Sequence, residues 1–363
     1  MRVLVLGSTF ARFPEKHLRP IGFCDFQNDL QKSGRVELEI RADLALGEFE
    51  STLALAQADV AFLVISWDQP MAEVGALLWR LRKLRPKLPM VLVDQSDQTA
   101  SPFLEFLPQI DLLVKSQTLR DRSGYVSSSQ TGYVFTDFLT QKLGYDVGDW
   151  HFGASADSKM TDKIVTGWNI GATRRLRAML ALNRWLFIPW KLRRCNFHCR
   201  VMPGPSESPT WYTRYRQFAA DSLIRAAAPY RCTGNARIDR RKYLWEMANS
   251  RIVFSPFGWG EVCHRDFEAV ALGCLLLKPS MEHVATEPNI FVDHHTYVPV
   301  KWDLSDLESV CHWCMENPRQ CQRIAANARK ALREYLARDG FTSHVRDVLT
   351  RAQNNANSRI SEI

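Results

Sequence analysis

The sequence predicts an α/β fold of two Rossmann-like units that face one another across a cleft. Three observations point there. At roughly 150 residues per domain, 363 residues are enough for two domains, each with its own core. Short apolar runs alternate with helical patterns through the first half of the chain, and a second alternating series begins near Asn196. Alternation of this kind builds parallel sheets covered by helices on both faces, with ligands bound beyond the carboxyl ends of the strands.

The elements follow in order. Val3 to Leu6 is a short apolar run ending at Gly7, which reads as a buried parallel strand entering a glycine turn. Val36 to Ile40, Val60 to Ile65, Met90 to Val93 and Leu112 to Val114 repeat the pattern, and Ala72 to Leu84 carries a helical one. In the second series the strands are Phe197 to Met202, Ile252 to Ser255 and Leu275 to Lys278, with helices over Trp211 to Ala227 and Glu261 to Leu272. Pro318 to Ala352 is helical in pattern, and the last ten residues, rich in Asn and Ser, read as frayed. With the junction near Pro189, the units are 1–188 and 189–340, followed by a C-terminal helix and tail over 341–363.

Composition narrows the function. Apolar residues at 46% and charged residues at 24% exclude a disordered, collagenous or coiled-coil chain. Lys and Arg number 47 against 39 acids, and the net charge of +8 favours an acidic small molecule, an anionic lipid surface or nucleic acid. No apolar run approaches the roughly 18 residues that span a bilayer, and the apolar start of MRVLVLGSTF is too short for a signal peptide, so a cytoplasmic location is expected. Nine cysteines at irregular spacing then read as reduced thiols. Cys195, His198 and Cys199, and likewise Cys311, His312 and Cys314, resemble zinc ligands, but each group offers only three neighbours and the second lies in a helical stretch, so no metal is expected.

Lys163 to Ser206 contains no acid but holds Arg174, Arg175, Arg177, Arg184, Lys191, Arg193, Arg194 and Arg200, interleaved with Trp185, Phe187 and Trp190. It admits three readings: a junction helix with a solvated arginine face, a wall of the cleft that attracts an anion, or a peripheral contact with an anionic membrane.

The most informative stretch is 243–279. It reads as a strand to Ser255, a loop from Pro256 to Gly260, a helix from about Glu261, a stop at Gly273 and another strand. Gly258 and Gly260 let backbone approach a ligand, and the helix that follows presents free N–H groups and a positive dipole end. Arg265 adds a bidentate contact to phosphate, and Glu268 shares its face; cation for diphosphate and acid for ribose together suit a nucleotide. The plain alternative is a solvated Arg265–Glu268 pair. Phe257 and Trp259 can stack on a base or sugar, or simply cover a core. Lys278 is a further cation for leaving-group charge.

Tyr243, Ser250, Pro256, Gly258, Arg265, Glu268, Ala269, Gly273 and Cys274 make this stretch similar to the donor-binding half of GT-B glycosyltransferases, especially exostosin-like and related bacterial ones. The resemblance is specific over this stretch and architectural elsewhere. It implies a nucleotide-sugar donor with Arg265 at the diphosphate, Glu268 at the ribose, and Tyr243 and the Ser255-to-Glu261 segment near nucleotide and sugar. It also implies a glycan or lipid-linked glycan acceptor held mainly by the first unit, with domain closure shielding the reaction. Many retaining members carry two glutamates one residue further apart than Glu261 and Glu268 are here, so a sugar-contacting role for Glu261 departs from the pattern and stereochemistry stays open.

The chain has no Asp-x-Asp, the motif with which another glycosyltransferase fold holds a divalent ion, so charge stabilisation without a metal cofactor is expected. An inverting transfer needs a base. Strand ends offer Asp68, preferred for its place in Trp-Asp-Gln-Pro, then Asp94, His17 and Asp25, with Lys115 facing the same place; turn or capping roles compete at each. The rival outside this class is a nucleic-acid-binding protein using 174–200, but no zinc-finger spacing or ribonucleoprotein aromatic signature accompanies the charge, and no nucleic-acid partner is expected. A nucleotide-sugar epimerase is the rival within it.

Overall fold

The computed structural model describes residues 1–12, 18–34, 36–127, 129–186, 188–201, 210–337 and 340–361. Its first sheet uses β1 (Arg2–Ser8), β2 (Glu37–Leu44), β3 (Val60–Val64), β4 (Met90–Asp94), β5 (Leu112–Lys115) and β7 (Ile164–Thr166) in the order β2-β1-β3-β4-β5-β7, with every pairing parallel. The second uses β8 (Cys195–His198), β9 (Ser250–Phe254), β10 (Leu275–Pro279) and β12 (Val298–Val300) in the order β12-β10-β9-β8, again parallel. β3, β4 and β5 are buried along their whole length, because helices cover both faces of the sheet. Helix Met71–Leu84 shows the matching pattern, turning Val74, Leu77, Leu78 and Leu81 inward.

Two parallel sheets, a cleft between them and a returning last helix make up the GT-B layout. The two units are joined more closely than a linker would require. β6 (Gln117–Leu119) follows the first sheet and pairs antiparallel with β11 (Val284–Thr286) of the second unit. Arg120 extends this ribbon, donating from its backbone N to His283 O and from its side chain to Glu282 O and Val284 O. One apolar cluster continues from Val5, Phe62 and Val93 of the first unit to Val253, Phe257 and Phe267 of the second. At its centre the ring of Phe135 lies 4.9 Å from both Tyr215 and Phe257. A large apolar interface opposes hinge motion, so the expected domain closure meets a fused core.

Helix Arg174–Leu186 packs on helices His264–Ala271 and Pro318–Ala337. It also reaches the first unit, through Arg174 N to Asp25 and Arg177 to Asp29, so the segment ahead of the boundary expected after 188 touches both units. The last helix, Gly340–Ser361, returns to the first unit and is ordered where fraying was expected. Its apolar face explains this: Phe341, Val345, Val348, Leu349, Ala352 and Ala356 are all buried at helical spacing. Phe341 packs on Phe23 and Trp168, and Arg359 Nε reaches Asp111 Oδ1 at 2.9 Å.

Asp111 is buried and also accepts from Arg82 Nη2 at 2.9 Å and Met90 N at 2.8 Å, so it ties the last helix to the sheet. Asp111→Ala is expected to lower the unfolding free energy by about 3 kcal/mol in urea, since three donors lose one acceptor. A change within ~0.5 kcal/mol would show that this tie contributes nothing.

Candidate functional site

Beyond the carboxyl ends of β8 and β9 lies a cavity of about 780 Å³ lined by Arg200, Arg237, Arg240, Tyr243, Arg265 and Glu268, among others. Local sequence positions each wall. Asp239 caps helix Arg240–Ala248, accepting from the N–H groups of Arg241 and Lys242 at 3.0 Å, which sets Arg240 and Tyr243 on its first turns. Cys263 precedes helix His264–Ala271, and its N–H donates to Asp266 Oδ2 at 3.0 Å, which places Arg265 in the first turn.

Arg265 Nη2 donates to Arg200 O at 2.9 Å, while its Nε is buried without a partner among the described residues. Burial works against its charge, but the neighbouring Cys263, Tyr243 and Asp266 outweigh it and raise the guanidinium's pKa above its ordinary value. Arg200 is itself held by Glu246 through two contacts, at 2.9 and 3.0 Å. Glu268 is buried, and its Oε1 accepts from the half-exposed Arg175 at 3.1 Å and from Arg240. Arg240 also lies over the Tyr243 ring at 5.1 Å. Burial, the largest influence, pushes the Tyr243 hydroxyl up to about 12. Behind this wall, His198 is wholly buried; desolvation, reinforced by Arg265 and Arg200, pulls its imidazole down to about 3, so it is neutral. With the guanidiniums of Arg200, Arg237, Arg240 and Arg265 outnumbering the carboxylates of Asp239 and Glu268, the lining suits a multiply charged anion.

A second cavity, of about 940 Å³, lies between the units. The ends of β3 and β4 supply Trp67 and Asp97; the second unit supplies Trp211, Tyr212, Arg216 and Trp259. Trp67 and Trp259 meet across the junction, with ring centroids 5.3 Å apart. The loop from Pro256 to Gly260, whose Trp259 lines the second cavity, is pinned to the first unit. Gln98 Nε2 donates to Trp259 O at 2.7 Å, and Thr99 donates to Glu261 from its N at 3.0 Å and its Oγ1 at 2.6 Å.

The sequence-predicted residues divide sharply. Tyr243, Arg265 and Glu268 meet in the first cavity. Gly260 is required, and Gly258 favoured, by contact between protein groups: a Cβ on Gly258 would lie 2.2 Å from Arg216 Nη2, and one on Gly260 would lie 1.7 Å from Asp97 O. Glu261 does not face a sugar, because its side chain is wholly buried against Thr99, with His283 Nε2 3.5 Å away. Phe257 is core and cannot stack on a ligand. Ser255 is buried with its Oγ 3.3 Å from Cys263 Sγ. Lys278 lies beneath the helix, paired with Asp266 at 3.1 Å, and does not reach the cavity.

The proposed bases also move. Asp68 accepts from Ala11 N at 3.1 Å, Arg12 N at 2.9 Å and Ser66 Oγ at 2.6 Å. Burial pushes its carboxyl up, but these bonds outweigh it and hold the pKa below the ordinary range, so Asp68 organises a loop. Asp94 is buried against Lys115 at 3.0 Å. Asp25 is buried and accepts from Arg174 N at 3.2 Å. His17 lies outside the described residues. Sequence reasoning missed Asp97, Arg216, Arg237 and Arg240. The strand-end argument preferred Asp68 after β3 and on β4 offered Asp94, three residues short of Asp97, and Asp239 followed by Arg240 and Arg241 was a capping signal pointing at the cavity.

In the acid-free segment, Arg200 lines the first cavity and Arg175 pairs with Glu268 of its wall, while Arg193 is buried and donates to Ser250 O and Leu272 O at 2.7 Å. Trp190 is buried, which removes it from any membrane face; the side chains of Trp185 and Phe187 lie outside the described set. Cys311 and Cys314 are buried in helix Leu307–Glu316, and all nine cysteines are free. No helix among the described residues is long and apolar enough to cross a membrane.

No family model matches the chain. A 55-residue stretch is 36% identical to "Uncharacterized protein 179R" of Invertebrate iridescent virus 6, and 53 residues are 42% identical to "Uncharacterized protein 027R" of Frog virus 3 (isolate Goorha). Each match covers 15% of this chain, which spans only 5% and 6% of those proteins' lengths. Among solved structures, Anabaena HepE in complex with UDP is 15% identical at a TM-score of 0.41, with 99% of this chain and 100% of that one covered. Sucrose-phosphate synthase from Thermosynechococcus elongatus is 10% identical at a TM-score of 0.49, with 97% and 99% covered. These structural neighbours are GT-B glycosyltransferases.

The two glycines make separable demands. Gly260→Ala drives a Cβ into backbone of the other unit and is expected to lower Tm by roughly 4 °C or more in differential scanning calorimetry. Gly258→Ala meets only the end of a side chain and should cost less; equal losses would show that the Asp97 contact does not set the loop's position.

Proposed function

We propose that the protein is a glycosyltransferase that binds a nucleotide-sugar donor in the arginine-lined cavity and transfers its sugar to a hydroxyl of a glycan in the interdomain cleft. One observation carries this reading: Arg200, Arg237, Arg240 and Arg265 converge with the buried Glu268 beyond the carboxyl ends of the second sheet. A diphosphate satisfies the guanidiniums, and Glu268 accepts from ribose hydroxyls. A cavity of about 780 Å³ has the size of a nucleotide site.

The chemistry follows from placement. As the bond between the anomeric carbon and the diphosphate oxygen breaks, negative charge grows on the leaving group, and fixed guanidiniums stabilise it where it develops. Arg265 is the principal contact, because its Nε is buried and unpartnered and its first-turn position aims it into the cavity. The four cations supply this charge without calling on a divalent ion. The sugar then lies at the Pro256-to-Gly260 loop, between the two cavities, where an acceptor in the cleft can reach its anomeric carbon.

A thermal-shift screen should show a rise in Tm with at least one nucleoside diphosphate at millimolar concentration and low ionic strength. In calorimetry Arg265→Ala should weaken the diphosphate about tenfold to a hundredfold and leave the bare nucleoside nearly unchanged, whereas Glu268→Ala should weaken both. No response to any nucleoside diphosphate would remove the donor assignment.

A further inference from the structure

The Pro256-to-Gly260 loop is where a donor sugar would sit, and the acids beside it differ in how they are used. Glu261 is sealed against Thr99. Asp94 is neutralised by Lys115, and Asp68 is filled by three hydrogen bonds. Asp146, which also lines the cleft, accepts from Gly148 N at 2.8 Å. Asp97 alone among these is uncommitted: it is exposed to the cleft, and its carboxylate accepts no hydrogen bond among the described residues. Its backbone O abuts Gly260, which fixes the residue against the loop.

We propose, resting on the glycosyltransferase reading, that Asp97 is the catalytic base of an inverting transfer to a saccharide hydroxyl held in the interdomain cleft. Asp97 Oδ takes the proton of the acceptor hydroxyl as that oxygen forms a bond to the anomeric carbon from the face opposite the diphosphate. The carbon–oxygen bond to the diphosphate breaks, and the nucleoside diphosphate leaves with the electron pair. The configuration at the anomeric carbon inverts.

The surroundings support both roles. The surrounding protein pushes the Asp97 carboxyl up to about 6, chiefly by desolvation; Lys115 and Arg216 oppose this, and Glu261 and Asp94 reinforce it. Burial, then Glu261 and then the charge of Asp97 raise the hydroxyl of the nearby Tyr133 well above its ordinary range. A carboxyl poised near neutrality is suited to accept a proton in the transition state. The cleft itself is walled by Trp67, Trp150, Phe152, Tyr212 and Trp259, with Trp67 and Trp259 partly exposed. Such rings offer flat apolar faces to the C–H face of a pyranose, while Arg214, His151 and Thr210 remain for its hydroxyls.

The test uses the full chain with a panel of UDP-, GDP- and ADP-hexoses as donors and p-nitrophenyl pyranosides as acceptors, product configuration being read by NMR. Inverted product is expected. Asp97→Asn should lower kcat at least a hundredfold, and wild-type kcat/KM should fall tenfold per pH unit below about 6, a limb the variant lacks. Nucleoside diphosphate binding by the variant should equal wild type. Retained configuration, or kcat within threefold of wild type, overturns the base assignment while leaving the donor reading intact. A wild-type protein that binds a nucleoside diphosphate but glycosylates no pyranoside overturns the saccharide assignment, and one that binds none overturns the donor reading and this proposal together.

Discussion

The contact between Glu261 and Thr99 is the constraint from which the rest of the site takes its geometry. Burial pushes the Glu261 carboxyl up, but His283 and Thr99 together outweigh that and hold it below its ordinary range, so it stays ionised. A buried anion satisfied by donors from the opposite unit is a positional lock, since separating the units would leave it without partners. The lock carries Trp259 and Gly260 against the first sheet's loops, and Gly260 has no side chain because Asp97 backbone occupies the space. The same loop leads into the helix that bears Arg265 and Glu268. The arginine-lined cavity, the cleft and the proposed base are therefore set by one short segment.

Beneath each unit's cleft-facing loop lies a fully buried lysine–aspartate pair. Lys115 meets Asp94 and also donates to Ser96 Oγ at 2.8 Å, one residue before Asp97. Lys278 meets Asp266, the residue that caps Cys263 N. Neither lysine touches a ligand-sized space, yet each fixes the backbone on which a cleft residue is mounted. Buried ion pairs are weak sources of stability but good sources of position, because both members must stay where the other is. An apolar core beneath these loops would hold them less specifically.

The parts legible in the sequence were those with a strong local signal. Strands buried on both faces are continuous apolar runs, so β1, β3, β4 and β5 were visible, as were β9 and β10 on either side of the glycine loop. Arg265 and Glu268 stood out because their spacing puts them on one helical face. What stayed hidden depends on partners distant in sequence. β6 and β11 are three residues each and find one another only in the folded chain. Gly258 and Gly260 were visible as glycines, but what approaches them is Arg216 and Asp97 rather than a ligand. Glu261 looked like an active-site acid because sequence shows charge, not the threonine that satisfies it. Only the end of the last helix was concealed, by Asn and Ser residues that mostly flank its apolar stripe on the solvent side.

The fused core also bears on how the cleft excludes water. Opening the units would expose Phe135, Phe257 and their neighbours, and each large ring taken out of apolar surroundings costs roughly 1.5–3 kcal/mol. The β6–β11 ribbon, the Gln98 contact with Trp259 and the Glu261 lock would have to part as well. Any opening of the units therefore has to be offset by new contacts of comparable size. On the glycosyltransferase reading we propose, the cleft is already formed before substrates enter, and its aromatic walls help keep the reacting atoms dry. Such a site loses the adaptability of hinge closure and gains fixed dipoles and charges that need no reorganisation at the moment of transfer.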